Sequence, residues 1–218
     1  SETCALDLVE AEFVRELDPG EIVIIGDNGI KSIQTQPEGA KRTFCIFEYI
    51  YFARPDSTIF GKNVYLTRKA HGRQLAQESP APADLVMPFP DSGTYAALGF
   101  SEASGIPFEM GMIRNHYIGR TFIQPTQSMR DFGVRVKLNP VKELLKGKDI
   151  IIIEDSIIRG TTAKTRVKAL REMGVRRVHL RVSGPPHRFP CHYGIDFSTK
   201  GELIAARMSV DKLGEHLG

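Results

Sequence analysis

The stretch that most constrains this 218-residue chain is Ile150-Ile151-Ile152-Ile153-Glu154-Asp155-Ser156-Ile157-Ile158-Arg159-Gly160-Thr161-Thr162. Four consecutive isoleucines leave no polar face, which predicts a strand buried on both sides, as in a parallel sheet covered by helices. Such a strand carries two adjacent carboxylates to its carboxyl end. A short hydroxyl-rich loop with one glycine then leads into a helical pattern from Thr161 to Met173. A helix start offers unpaired N–H groups and a positive dipole end, to which Ser156, Thr161 and Thr162 add hydroxyls. Together these suit a phosphate monoester, and Gly160 lets the backbone approach it closely. The carboxylates repel phosphate and suit sugar hydroxyls or a magnesium ion beside it. The plainer alternative is an ordinary helix N-cap, with acids favoured by the dipole. Ala163 precedes Lys164-Thr165, so the Walker A pattern of P-loop nucleotide hydrolases is absent.

The surrounding pattern fits an alternating fold. Strand-like segments at Phe44 to Phe52, Asp84 to Met87 and Arg177 to Val182 alternate with helical ones at Val64 to Gln77 and Thr94 to Ala103. This predicts an α/β protein with a mainly parallel sheet, and ligands at the carboxyl ends of its strands. Before it, Ala5 to Leu17 has apolar residues at helical spacing. Ile22 to Ile25 and Ile30 to Ile33 flank an Asn28-Gly29 turn as in a hairpin. Gln34 to Lys41, with Pro37 and Gly39, reads as a linker. The boundary expected near residue 40 separates a 1–40 segment, too short for a domain and expected to be the end of a larger one, from a 41–218 domain.

Charge and cysteine usage exclude several classes. The net charge of +3 is too small for a chain-wide nucleic-acid surface. The basic residues concentrate between Gly111 and Lys137, where Arg114, Arg120, Arg130, Arg135 and Lys137 face the single acid Asp131. That cluster suits a compact anion, and within it the Gly- and Pro-containing segment from Gly111 to Arg130, lacking periodicity, reads as a lid over a site. No apolar run approaches a membrane span, no export signal opens the chain, and three cysteines make no disulfide framework. A reduced, cytoplasmic protein is expected.

The apolar strand, two acids and Thr/Gly-rich loop resemble the type I phosphoribosyltransferases. Further segments resemble the glutamine phosphoribosylpyrophosphate amidotransferase (amidophosphoribosyltransferase) family. They are Glu48-Tyr49-Ile50-Tyr51-Phe52-Ala53-Arg54-Pro55-Asp56-Ser57, Pro90-Asp91-Ser92-Gly93, Tyr117 to Pro125, Arg135-Val136-Lys137-Leu138 and Tyr193-Gly194-Ile195-Asp196. The resemblance implies formation of 5-phosphoribosylamine and pyrophosphate from 5-phosphoribosyl-1-pyrophosphate (PRPP) and ammonia, the first step of purine synthesis. In that family ammonia comes from glutamine, hydrolysed by an amino-terminal glutaminase domain whose last helix and hairpin resemble residues 1–34.

It further implies a type I phosphoribosyltransferase fold with a lid loop. PRPP would be bound by Asp91, Ser92, Lys137, Glu154, Asp155, Ser156, Arg159, Gly160, Thr161 and Thr162. Lys137, Asp155 and Arg120 would be the catalytic positions, and Ser92, Glu154 and Asp155 the Mg2+ positions. Purine nucleotides as feedback inhibitors and a homo-oligomer are likewise implied, without nucleic-acid or membrane partners. The competing class is a non-catalytic PRPP or nucleotide regulator on the same fold, which would need a nucleic-acid surface for which no helix-turn-helix pattern is found.

Three departures matter. Glu154 stands where the pattern has Asp, and Arg114 and His116 stand where Lys and Arg are common. The family's glutaminase nucleophile is an amino-terminal cysteine, a place that Cys4 does not occupy, so free ammonia is the expected nitrogen source for this chain. Cys45 and Cys191 resemble two of four iron–sulfur ligands in one branch of the family. A [4Fe–4S] cluster is therefore implied only for a protein with two more thiolates, and this chain is expected to be iron-free.

Overall fold

A computed structural model describes residues 2–37, 39, 41–115, 138–197 and 199–218, which divide into two compact units, 1–64 and 65–218. The first unit thus runs past the expected linker. It opens with helix α1 (Thr3–Leu8), followed by the hairpin of β1 (Glu21–Gly26) and β2 (Gly29–Gln34) in antiparallel register, Ile25 opposite Ile30. The Asn28-Gly29 turn is thereby where the sequence places it. Arg15 donates two hydrogen bonds to the Glu21 carboxylate, at 2.8 and 2.6 Å, and holds it down to a pKa of about 2. A π-helical turn (Glu48–Phe52) and a small hairpin of β3 (Thr58–Ile59) and β4 (Lys62–Asn63) complete the unit.

Two expectations fail here. Helix α1 ends at Leu8 and not near Leu17, because Val9, Phe13, Val14 and Leu17 remain exposed and bury no stripe that would sustain further turns. Phe44 to Phe52 is no strand: the run closes on itself as the π-helical turn, with Ile50 buried and Phe44, Tyr51 and Phe52 exposed.

The second unit is built on a parallel sheet. Helix α2 (Val64–Glu78) precedes β5 (Leu85–Pro88), helix α3 (Thr94–Ser104) and an antiparallel ribbon of β6 (Met112–Arg114) and β7 (Leu138–Pro140). The short helix α4 (Lys142–Leu145) leads into β8 (Asp149–Glu154), helix α5 (Thr161–Glu172) and β9 (Arg177–Val182). The described sheet has the order β5-β8-β9, all parallel, with Met87 opposite Ile152 and Ile152 opposite Leu180. A 3-10 turn (Lys200–Glu202) and helices α6 (Ile204–Arg207) and α7 (Val210–Leu217) close the chain.

The central strand explains its own sequence. Ile150 and Ile152 pack with Met87, Phe89, Leu145, Leu170 and Val175, whereas Ile151 and Ile153 pack with Val86, Ala96, Ala97 and Phe100. Both faces are covered, so alternation between polar and apolar residues is lost. Helices α2 and α3 meet backbone to backbone: a Cβ at Gly72 would overlap the Ala96 carbonyl, and one at Gly99 the Lys69 carbonyl. Gly99→Ala is expected to lower stability by about 1–3 kcal/mol or more, because two backbones must part to admit one methyl. Equilibrium urea unfolding with an unchanged midpoint would contradict this.

Candidate active site

Three loops leave the carboxyl edge of the β5-β8-β9 sheet side by side. Phe89, just past β5, donates its N–H to the Ile153 carbonyl at 2.9 Å, which lays the Pro90–Gly93 loop against the end of β8. A Cβ at Gly93 would overlap that same carbonyl, so this close approach requires glycine. The Pro90–Asp91 peptide is cis. From the loop after β9, Ser183 and Gly184 donate N–H bonds of 2.9 Å to the carbonyls of Glu154 and Asp155. Both acids are therefore fixed through their backbones, and both are buried, at 9% and 3% exposure.

Their carboxyl groups find different partners. The two-residue period of β8 sends Glu154 to the face of Ile150 and Ile152, against α5, where an Arg166 N–H donates to Glu154 Oε2 at 3.2 Å. Burial, and secondarily the neighbouring Asp155, pushes the Glu154 carboxyl up to about 8, while Arg166 opposes the shift. Burial also lowers the Arg166 guanidinium from its usual range, against the pull of both acids. Asp155 lies one residue beyond the strand, and its Oδ1 accepts the Ser156 hydroxyl at 2.5 Å. Asp155 also acts on His187, whose pKa burial lowers and the carboxylate raises.

The loop then turns into α5 through Gly160, whose φ of +79° disfavours any other residue. A Cβ there would come within 2.7 Å of the Ile204 Cδ1, and Ile204 donates its N–H to the Ile158 carbonyl at 2.9 Å. The carboxyl-terminal segment thus braces the loop from behind. Helix α5 starts without a side-chain cap, and Thr161 and Thr162 are exposed at its tip. A helix start of this kind suits an anion.

The structure brings together most of the residues expected from the sequence. Asp91 and Ser92, Glu154 to Ser156, and Gly160 to Thr162 stand on adjoining loops of one sheet edge. Arg159 donates to the Glu202 carboxylate at 3.0 Å and the Asp196 carbonyl at 3.2 Å. Arg114, at the end of β6, forms an ion pair with Asp91. Arg120, His116, Lys137 and residues 116–130 of the expected lid lie outside the described residues.

Arg166 was not anticipated. The signal was present: Ala163, Val167 and Leu170 form the buried stripe of α5, and Arg166 sits on that stripe, where a charge needs a partner.

The oxygen donors Asp155, Glu154 and Ser92 suit a hard cation. Among the described residues, no group of three His, Cys, Asp or Glu side chains could enclose a metal. Mg2+ keeps several of its waters and takes one or two carboxylates together with substrate phosphates. Of the two cysteines that resemble iron–sulfur ligands, Cys45 is exposed and Cys191 half-buried, and a four-iron cluster takes two thiolates more.

No protein-family model matches the chain. Individual proteins do. The amidophosphoribosyltransferase of Synechococcus elongatus is 55% identical over all 218 residues, which span 44% of that protein. That of Staphylococcus epidermidis is 51% identical, again across 44% of its length. A chloroplastic amidophosphoribosyltransferase of Arabidopsis thaliana is 49% identical over 38% of its length. The chain therefore spans less than half of the relatives it matches. Among solved structures, one described as the allosteric regulatory enzyme of purine biosynthesis superposes over the whole chain with a TM-score of 0.91 and 51% identity. The glutamine PRPP amidotransferase of B. subtilis, complexed with ADP and GMP, does so at 0.90 and 50%, and the chain covers 48% of it. By sequence along its whole length, and by its type I phosphoribosyltransferase fold, this chain matches the amidophosphoribosyltransferase family.

Proposed function

We propose that the chain carries the phosphoribosyl-transfer site of an amidophosphoribosyltransferase, joining ammonia to the ribose of PRPP and releasing pyrophosphate. The observation that supports this most is the edge where two buried acids stand between the Pro90–Gly93 loop and the uncapped start of α5. Each part suits one part of PRPP. The N–H groups and hydroxyls at Thr161 and Thr162 suit the 5′-phosphate, and Asp155 suits the ribose hydroxyls. The Pro90–Gly93 loop and Arg114 suit the pyrophosphate.

Transfer breaks the bond between the anomeric carbon and pyrophosphate oxygen, and the electron pair leaves with pyrophosphate. The nitrogen lone pair forms the new bond, and the resulting ammonium loses a proton to solvent. Positive charge develops on the ring, beside the Asp155 carboxylate, which stabilises it; negative charge develops on the leaving group. Arg114 supplies positive charge there once Asp91 releases it. Lys137 and Arg120 are proposed for the same task. Mg2+, held by Asp155 with Glu154 and Ser92, would neutralise pyrophosphate charge when bound. Cys45 and Cys191 enter no step.

Purine nucleoside monophosphates present the same 5′-phosphate and ribose hydroxyls and are expected to compete with PRPP. Equilibrium binding tests the assignment. PRPP should bind with Mg2+ present and be displaced by ribose 5-phosphate and by GMP. Displacement by neither would contradict it.

A further inference from the structure

Arg166 joins three segments of the proposed site. It emerges from α5, the helix whose start is assigned to phosphate. Its guanidinium pairs with Glu154 at 3.2 Å and lies over the ring of Phe89, 4.7 Å from the centroid. Phe89 is fully buried and immediately precedes the Pro90–Gly93 loop. The planar cation therefore touches the end of β5, the end of β8 and the inner face of α5 at one point.

Neither contact is replaceable by a simple apolar residue. A carboxyl group with 11% side-chain exposure cannot point at will; it lies where the Arg166 guanidinium holds it. Glu154 has one more rotatable bond than the Asp expected there, so its carboxyl has further places to go. A lysine would keep the charge but lose the flat face that stacks on Phe89.

We propose that Arg166 is a positioning residue for PRPP: it fixes the Glu154 carboxyl and, through Phe89, the seat of the pyrophosphate-side loop. It touches no substrate atom itself. Its effect reaches PRPP through Glu154, and it leaves the phosphate seat at Thr161 and Thr162 unaltered. This inference rests on the PRPP reading above.

A double-mutant cycle tests it. Dissociation constants for PRPP and for inorganic phosphate are measured on the whole chain and on Arg166→Met, Arg166→Lys, Glu154→Gln and the Glu154→Gln/Arg166→Met pair. Circular dichroism checks that each variant is folded. Arg166→Met should weaken PRPP about tenfold or more and inorganic phosphate less than twofold, with Arg166→Lys between wild type and Met. In the Glu154→Gln background the same change should cost less than threefold, because the group that it positions is already altered. Equal losses in both backgrounds, or equal losses for PRPP and phosphate, would overturn the positioning role. So would a Met variant that binds PRPP like wild type. Should Arg166→Met fail to fold, the cycle runs with Arg166→Lys, which must then lose PRPP affinity only where Glu154 is intact. Wild-type protein that binds inorganic phosphate but no PRPP would refute the underlying reading, and the proposal with it.

Discussion

Asp155→Ala is expected to lower kcat/KM for PRPP by about 10²- to 10⁴-fold, the effect of losing two charge-assisted hydrogen bonds of roughly 1.5–3 kcal/mol each. The loss should appear in both binding and turnover. In the proposed reaction the carboxylate holds ribose hydroxyls in the ground state and faces a ring that becomes more positive as the pyrophosphate bond breaks. Misfolding does not explain such a loss. The Asp155 carbonyl keeps its bond from Gly184, and removing the side chain relieves the like charge beside Glu154. The folded protein should therefore melt at or above the wild-type temperature. A decrease of less than about threefold would remove Asp155 from the site.

The second large effect concerns stability against pH. The folded protein holds the Glu154 carboxyl up at about 8, against 4.5 for a free side chain. Between those values the unfolded chain has released a proton that the folded chain retains. Stability contributed by this group is thus full below pH 4.5, falls as pH rises, and levels off above 8. At 1.36 kcal/mol per unit, the fall across the window is on the order of a few kcal/mol. Glu154→Gln carries no proton and should lack this slope. Urea midpoints of variant and wild type should agree near pH 4.5 and separate steadily toward pH 8, with the glutamine protein the more stable. Parallel curves would show that burial does not hold the proton on Glu154.

What the sequence disclosed depended on how local its causes were. The strand–acid–loop–helix unit from Ile150 to Thr162 was legible because four isoleucines demand cover on both faces and a lone glycine marks the turn. The hairpin around Asn28-Gly29 was legible for the same local reason. The path of Ala5 to Leu17 was not, because helical spacing of apolar residues predicts a helix only where a partner buries the stripe. Phe44 to Phe52 misled because an apolar run does not state its own period.

The candidate site was legible as a set of loops but not as a set of partners. Arg159 looked like a phosphate ligand by position, yet it pairs with Glu202, far along the chain. The place of Arg166 on the buried stripe of α5 signals a need for a partner, but not that the partners are Glu154 and Phe89. Such pairings depend on how strands stack, and spacing along the chain carries no trace of that.

Pyrophosphate release from PRPP, followed with and without ammonium in the presence of Mg2+, tests phosphoribosyl transfer most directly. The proposed chemistry predicts release that requires both PRPP and ammonium, rises as pH increases the fraction of free ammonia, and is lost in Asp155→Ala. PRPP that binds at this sheet edge yet yields no pyrophosphate with ammonium would contradict it, and would identify the chain as a binder and not a transferase.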